Sequence, residues 1–212
     1  MLKSRKILLF ICLTVLVICL CACTPEVNTD DMETKVEEVE DGQSKNLDEE
    51  IAERPDVVEA YLEAAEAYSW FDLATMDYDT ADTVEYASYQ YARVTHETIQ
   101  CLEDLENYLR TLFSDKIVSE LLKERDGIQQ YRDFNGQLYV IPAGRGADIT
   151  KGKAQGEIVY ESPTQVQFHV TVEVLNPENS AVIGEETYEF LYEYTAPYGD
   201  ARWAFTKFES IR

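Results

Sequence analysis

Few residues in this 212-residue chain have types and spacings that could support catalysis. Cys101 lies at a predicted helix N-terminus, five residues after His96, and such a position favours a reactive thiolate. No third group follows at a spacing that would orient a cysteine–histidine pair, so Cys101 is interpreted as a substitute for a capping serine. The other histidine, His169, is distant in sequence, and neither histidine has partners at metal-ligand spacing. We therefore predict neither a catalytic residue nor a metal site.

An alternation of acidic residues at Asp77, Asp79 and Asp82 could in principle supply oxygen ligands to calcium. The calcium loop of a helix–loop–helix hand needs glycine at its sixth position and glutamate at its twelfth. Counted from Asp77, those positions hold Asp82 and Ser88. The stretch 77–83 is therefore interpreted as an acidic connecting loop.

A run of small residues follows the hairpin signal Asn135-Gly136. This run lacks the length and the following helix of a phosphate-binding loop. It could be an exposed loop that enters a cleft on another protein, or its glycines could only satisfy backbone angles at a bend. Residue types alone favour the bend. The run consists of Ala143, Gly144, Arg145, Gly146, Ala147 and Asp148.

The N-terminus predicts a lipoprotein signal peptide over residues 1–22. Three basic residues precede the apolar run Ile7–Leu20, which has the length of a secretory signal. The run ends in Leu-Cys-Ala-Cys, which matches a bacterial lipobox and predicts lipid attachment at Cys23. An uncleaved anchor is the alternative. Both interpretations place the folded part on the extracellular face of the cytoplasmic membrane, in a Gram-positive type of bacterium.

The charge balance restricts the partners of the processed protein. The net charge is −23, and removal of the three basic residues of the signal brings it to −26. Residues 24–54 carry −9 of this and residues 55–212 carry −17. Such a surface disfavours nucleic acid and anionic lipid headgroups, and it suits a basic partner or serves solubility. Only Cys23 and Cys101 remain after processing, so no intrachain disulfide framework is available.

Composition divides the processed chain into a tether and one domain. Residues 23–54 contain the lipidated cysteine and a dense acidic segment without aromatic residues, which predicts a disordered tether. Residues 55–212 are long enough for one domain with a hydrophobic core.

Three helices are predicted in the first half of the domain. The first begins at Pro55 and ends near 73–76. Cys101 and Asp104 form a capping box for the second, and Ser114 caps the third. Between them, the tyrosine-rich segment Val84–Val94 is predicted to be one strand.

The second half of the domain has the two-residue period of strands. In the segment 165–175, valines and a phenylalanine alternate with polar residues, as expected for a sheet with one wet face. We predict an α+β fold, with two or three N-terminal helices on one face of a curved antiparallel sheet, of cystatin-like or nuclear-transport-factor-2-like general shape. The predicted strands are Ile128–Phe134, Gln137–Ile141, Gly156–Ser162, Gln165–Leu175, Glu185–Tyr194 and Arg202–Glu209.

The pattern and order of several segments resemble the IseA-type (YoeB-type) inhibitors of DL-endopeptidases. The matching features are the aromatic pair Trp70-Phe71, the helical stretch 102–122, the segment 131–152, and the closing strands TYEFLYEY and RWAFTKFE. This resemblance extends from about residue 56 to the end of the chain. The predicted lipid anchor and acidic tether depart from the best-known form of the family, which is simply secreted.

The resemblance implies a monomeric inhibitor without cofactor or catalytic activity. Its partner would be an NlpC/P60-type cysteine peptidase that cuts the D-glutamyl link of peptidoglycan stem peptides. By position, the loop 143–148 would occupy the active-site cleft of that peptidase. Arg145 would then pair with an acidic group of the enzyme, and Asp148 would mimic the glutamyl carboxylate of the substrate.

The sequence is also compatible with two other functions. A cone-shaped domain could hold a small ligand or catalyse a reaction in a tyrosine-lined pocket between helices and sheet. An adhesion or assembly lipoprotein would instead have envelope partners other than hydrolases.

Overall fold

A computed structural model of the chain describes residues 33–37, 53–196 and 201–211. The predicted signal peptide 1–22 and the lipid attachment at Cys23 lie outside the described residues. The α+β prediction is confirmed, with three helices preceding most of the strands. The strands divide between two sheets rather than forming one. No helix in the described segments is long and apolar enough to cross a bilayer.

The described residues form three helices: α1 (Val57–Ser69), α2 (Leu102–Leu112) and α3 (Asp115–Leu121). Asp56 caps α1, because its Oδ1 accepts from the backbone N–H groups of Val58 and Glu59, both at 2.9 Å. The predicted C-terminal end of α1, near 73–76, lies several residues beyond the observed end. The helix ends at Ser69, where the carbonyl accepts from Leu73 N at 2.8 Å and the chain turns away.

The small sheet has the order β2-β3-β5-β4. Its first hairpin corrects two predictions, since the predicted acidic loop 77–83 and part of the predicted single strand form β2 (Tyr78–Tyr86), and β3 covers Tyr89–Val94. Ala87 and Ser88 form the turn with φ of 50° and 68°. These left-handed angles are uncommon for alanine and serine, so these two residue types do not predict a turn.

The second hairpin of the small sheet consists of β4 (Tyr131–Phe134) and β5 (Gln137–Val140). Asn135 and Gly136 have φ of 53° and 76°, so the predicted two-residue turn is confirmed.

The large sheet contains four antiparallel strands in sequence order: β6 (Lys151–Ser162), β7 (Gln165–Leu175), β8 (Val182–Thr195) and β9 (Arg202–Lys207). The predicted alternation of β7 is confirmed, since Val166, Phe168, Val170 and Val172 are buried. A fifth strand, β1 (Glu33–Glu37), pairs parallel to the edge strand β6. This strand lies within the segment 23–54, for which the sequence predicts a disordered tether.

The core lies between the helices and the large sheet. The Tyr61 ring of α1 lies 4.9 Å from Phe168 and 4.8 Å from Phe190. Phe205 of β9 is fully buried and forms a parallel bridge with Phe113 at the end of α2. Large apolar side chains therefore fill the space in which a nuclear-transport-factor-2-like fold would hold its ligand. This packing disfavours the interior pocket that the small-ligand interpretation requires.

The Asn135-Gly136 turn gives a first stability prediction. We expect Gly136→Ala to lower the free energy of unfolding by about 1 kcal/mol, because a Cβ is strained at positive φ. Equilibrium urea denaturation measures this loss. The matched control is Gly184→Ala, since Gly184 has open space around it and no positive φ. Equal losses in both variants would contradict the assignment of strain to the turn.

Candidate functional site

The predicted inhibitory loop 143–148 joins β5 of the small sheet to β6 of the large sheet. Ala143 through Ala147 are all exposed, and Asp148 is half-buried. The loop is therefore both the connection between the sheets and an exposed surface element.

The loop is held by the segment that follows α1. The backbone N–H of Thr75 donates to the Ala143 carbonyl at 3.1 Å, and that of Arg145 donates to the Leu73 carbonyl at 2.9 Å. These bonds fix the loop along a short antiparallel bridge between Ala74 and Gly144. The anchoring could not be predicted from local sequence, because the partners are about seventy residues apart.

The side chain of Arg145 adds an ion pair to this anchoring. Its Nη2 lies 2.9 Å from Oδ2 of Asp72, whose side chain is 14% exposed. The guanidinium therefore braces the loop against the domain. Gly146 follows with φ of 74°, and nothing lies within 4 Å of a Cβ placed there. This glycine sets the path of the loop through its backbone angle alone.

Asp148 is used within its own turn. Its Oδ1 accepts from the Thr150 backbone N–H at 2.9 Å and from the Thr150 hydroxyl at 2.7 Å. These two hydrogen bonds favour the charged form and hold the pKa of Asp148 below its usual value. The carboxylate therefore closes the turn into β6.

Exposed apolar side chains adjoin the loop, and sequence reasoning missed them. Ile149 is 70% exposed, Val182 51% and Ile183 66%. The Thr150 carbonyl accepts from Leu175 N at 2.7 Å, and Leu175 pairs with Val182, so these residues lie at one end of the large sheet. The signal that could have found them is the pair Val182-Ile183 directly before Gly184, beyond the predicted start of that strand.

The cysteine–histidine pair has structural roles. The Asp104 carboxylate accepts from the backbone N–H of Cys101 at 3.1 Å and from its thiol, which confirms the predicted capping box. His96 Nδ1 accepts from the backbone N–H groups of Thr98 and Ile99, so this ring closes the turn before α2.

The acidic residues of β2 are bound to neighbouring side chains. Asp82 Oδ2 lies 2.7 Å from Arg93 Nε, and its Oδ1 accepts from the Tyr139 hydroxyl at 2.9 Å. Arg93 also lies 3.7 Å from Asp79. No cluster of three or more metal-ligating side chains occurs among the described residues. Elsewhere, His169 Nε2 lies 3.2 Å from the Gln167 amide oxygen.

No protein-family model matches the chain, and no curated protein matches it significantly.

The Asp148 turn gives a prediction on pH. We expect Thr150→Val to raise the pKa of Asp148 toward its ordinary value, because one of the two donors to the carboxylate is lost. The depressed pKa stabilises the turn above the unfolded-state pKa, and this contribution is lost as pH falls through the folded-state pKa. Carboxyl carbon shifts in an NMR titration measure the pKa of Asp148 in the unchanged protein and in Thr150→Val. Thr171→Val is the control, and an unchanged Asp148 pKa in Thr150→Val would contradict the assignment.

Proposed function

We propose that this protein inhibits a cell-wall DL-endopeptidase of the NlpC/P60 type, by placing the loop 143–148 in the active-site cleft of the peptidase. The observation that carries the proposal is the anchored, exposed conformation of this loop. A loop already held in one conformation loses little conformational entropy on binding, which is the property that rigid inhibitory loops require. The resemblance to IseA-type inhibitors supports the same assignment.

The contacts of Arg145 and Asp148 change the roles that the resemblance implied for them. Arg145 is paired with Asp72, so it supports the loop rather than offering a free cation to the enzyme. Asp148 accepts two hydrogen bonds from Thr150, so it shapes the exit of the loop. The surface that enters the cleft is then the small-residue segment 143–147, with Ile149 beside it.

Charge supports association with a basic enzyme. The region 55–212 carries −17. Long-range attraction of this kind raises the association rate and weakens with salt. A predicted lipid anchor at Cys23 would keep the inhibitor at the membrane surface, where newly exported hydrolases emerge.

The proposal is tested by inhibition of a purified NlpC/P60 peptidase that cleaves peptidoglycan. The chain from residue 24 onward is used, without the apolar N-terminal run. We expect dose-dependent loss of cleavage at a stoichiometry near one to one. A lysozyme-type muramidase serves as the control enzyme, and inhibition of both enzymes, or of neither, would contradict the proposal.

Two variants separate charge from loop shape at Asp148. Asp148→Asn keeps an oxygen acceptor for Thr150 and removes the charge, whereas Asp148→Ala removes both. We expect Asp148→Ala to weaken inhibition by about tenfold and Asp148→Asn to weaken it by less, since an ordinary hydrogen bond contributes about 1 kcal/mol. Gly144→Pro tests the bridge to Ala74 in the same assay. If the Gly144→Pro variant and the Asp148→Ala variant both inhibit as strongly as the unchanged protein, the loop assignment is refuted.

Pull-down from detergent-solubilised envelope tests the adhesion or assembly alternative. Recovery of wall hydrolases supports inhibition, and recovery of other envelope proteins in their place supports that alternative.

A further inference from the structure

A surface cleft of about 390 Å³ opens between the C-terminal ends of α1 and α3, the hairpin strand β3 and the start of the loop 143–148. This volume lies in the range of small-ligand sites. The cleft lies beside the filled core, since Tyr68, Phe71 and Leu121 line the cleft and also pack against that core.

Apolar residues form one part of the cleft lining, which we call its floor. They are Phe71, Leu121, Ile128 and Ile141, all half-buried, and Tyr89, which is 46% exposed, also lines the cleft. The floor favours a ligand with an aromatic or aliphatic body.

Two cations lie at the side formed by the end of α3. Lys123 forms one ion pair, with Glu120 at 3.5 Å, and both side chains are more than half exposed, so water screens it. Arg125 is exposed and forms no ion pair within the described residues. Among the described residues, the one carboxylate that lines the cleft is that of Asp72, and it is paired with Arg145.

We propose that this cleft binds a small amphipathic carboxylate, with the apolar body on the floor and the anion beside Lys123 and Arg125. The charged residues of the cleft are the reason for choosing a carboxylate. In a domain with a net charge of −17, two cations face a cleft whose own carboxylate is already neutralised. A free carboxylic acid and the C-terminus of a peptide share this chemistry.

The cleft adjoins the contacts that hold the loop 143–148. Ala143 and Asp72 both line it, and each makes one of the contacts that hold the loop to the segment after α1. A bound ligand therefore alters the surroundings of Arg145 and Gly146. This effect is observable in the protein alone, without a peptidase.

The test uses N-acetyl-L-phenylalanine as probe and its neutral amide as the charge control. Backbone amide shifts of the ¹⁵N-labelled chain from residue 24 onward are followed by NMR. We expect saturable shifts at cleft residues and at Arg145 and Gly146, with affinity about tenfold weaker for the amide. 3-Phenylpropionate distinguishes the sources, since equal affinity indicates a free acid and weaker affinity indicates a peptide C-terminus.

A double variant, Lys123→Gln with Arg125→Gln, is expected to reduce affinity for the acid by about tenfold and to leave affinity for the amide unchanged. The matched control is Lys153→Gln with Lys207→Gln, which removes the same charge away from the cleft. Equal binding of acid and amide, equal effects of the two double variants, or no saturable shifts at millimolar probe would overturn the proposal. Each outcome is independent of peptidase inhibition, so failure here leaves the proposed function untouched.

Discussion

Replacement of Phe190 by alanine is expected to lower the free energy of unfolding by about 3–5 kcal/mol. Phe190 of β8 is fully buried, and its ring centre lies 4.8 Å from that of Tyr61 on α1 and 4.9 Å from that of Phe208. Alanine would remove buried apolar surface and leave a cavity among rigid rings that cannot close around it. The contact between α1 and the large sheet would lose a central side chain.

Equilibrium urea denaturation, followed by tryptophan fluorescence and circular dichroism together, measures this loss. The denaturant slope should stay unchanged, since the same surface is exposed on unfolding. Phe190→Leu should cost less, because leucine fills part of the space. Ile183→Ala is the control, with an expected change below about 0.5 kcal/mol, because that side chain is 66% exposed. Similar losses at Phe190 and Ile183 would contradict the placement of Phe190 in the core.

Elements with a strong local period could be predicted from the sequence. Buried residues alternate in β7 from Val166 to Val172, and Cys101 with Asp104 marks the start of α2. Asn135-Gly136 marks a turn, because these two residue types tolerate left-handed backbone angles. In each case the determining interaction lies within a few residues in sequence.

Elements that depend on distant partners could not be predicted in this way. The β2–β3 hairpin turns at Ala87 and Ser88, whose types do not favour their backbone angles, so cross-strand pairing must impose the turn. The strand β1 lies in an acidic segment without a strand period, and pairing with β6 determines it. The division into two sheets is likewise a property of the whole domain.

The candidate site likewise has features that the local sequence predicts and contacts that it does not predict. The small residues and two glycines of 143–148 indicated a bend or loop, and only the resemblance implied an inhibitory role for it. The pairing of Arg145 with Asp72 joins residues that are 73 positions apart, and no local pattern announces it. This contact changes Arg145 from a presumed contact with the enzyme into a support of the loop.

Gly146→Val is expected to weaken inhibition of the peptidase by about a hundredfold while lowering the free energy of unfolding by only about 1–2 kcal/mol. Gly146 has φ of 74°, and no described residue lies within 4 Å of a Cβ placed there, so the substitution acts through the backbone angle. A β-branched residue is a strong outlier at this angle, and the loop must take another path. Inhibition constants and urea denaturation of the same preparations measure the two effects.

Gly136→Val is the matched control, because Gly136 has φ of 76° and equally open space but lies in the hairpin of the small sheet. The two variants impose the same kind of backbone strain, so their losses of stability should be comparable. Only the variant in the loop changes the surface proposed to enter the peptidase cleft. A hundredfold loss in Gly146→Val with near-normal inhibition by Gly136→Val therefore separates loop shape from general destabilisation. Equal inhibition by both variants would place the contact with the enzyme elsewhere on the domain.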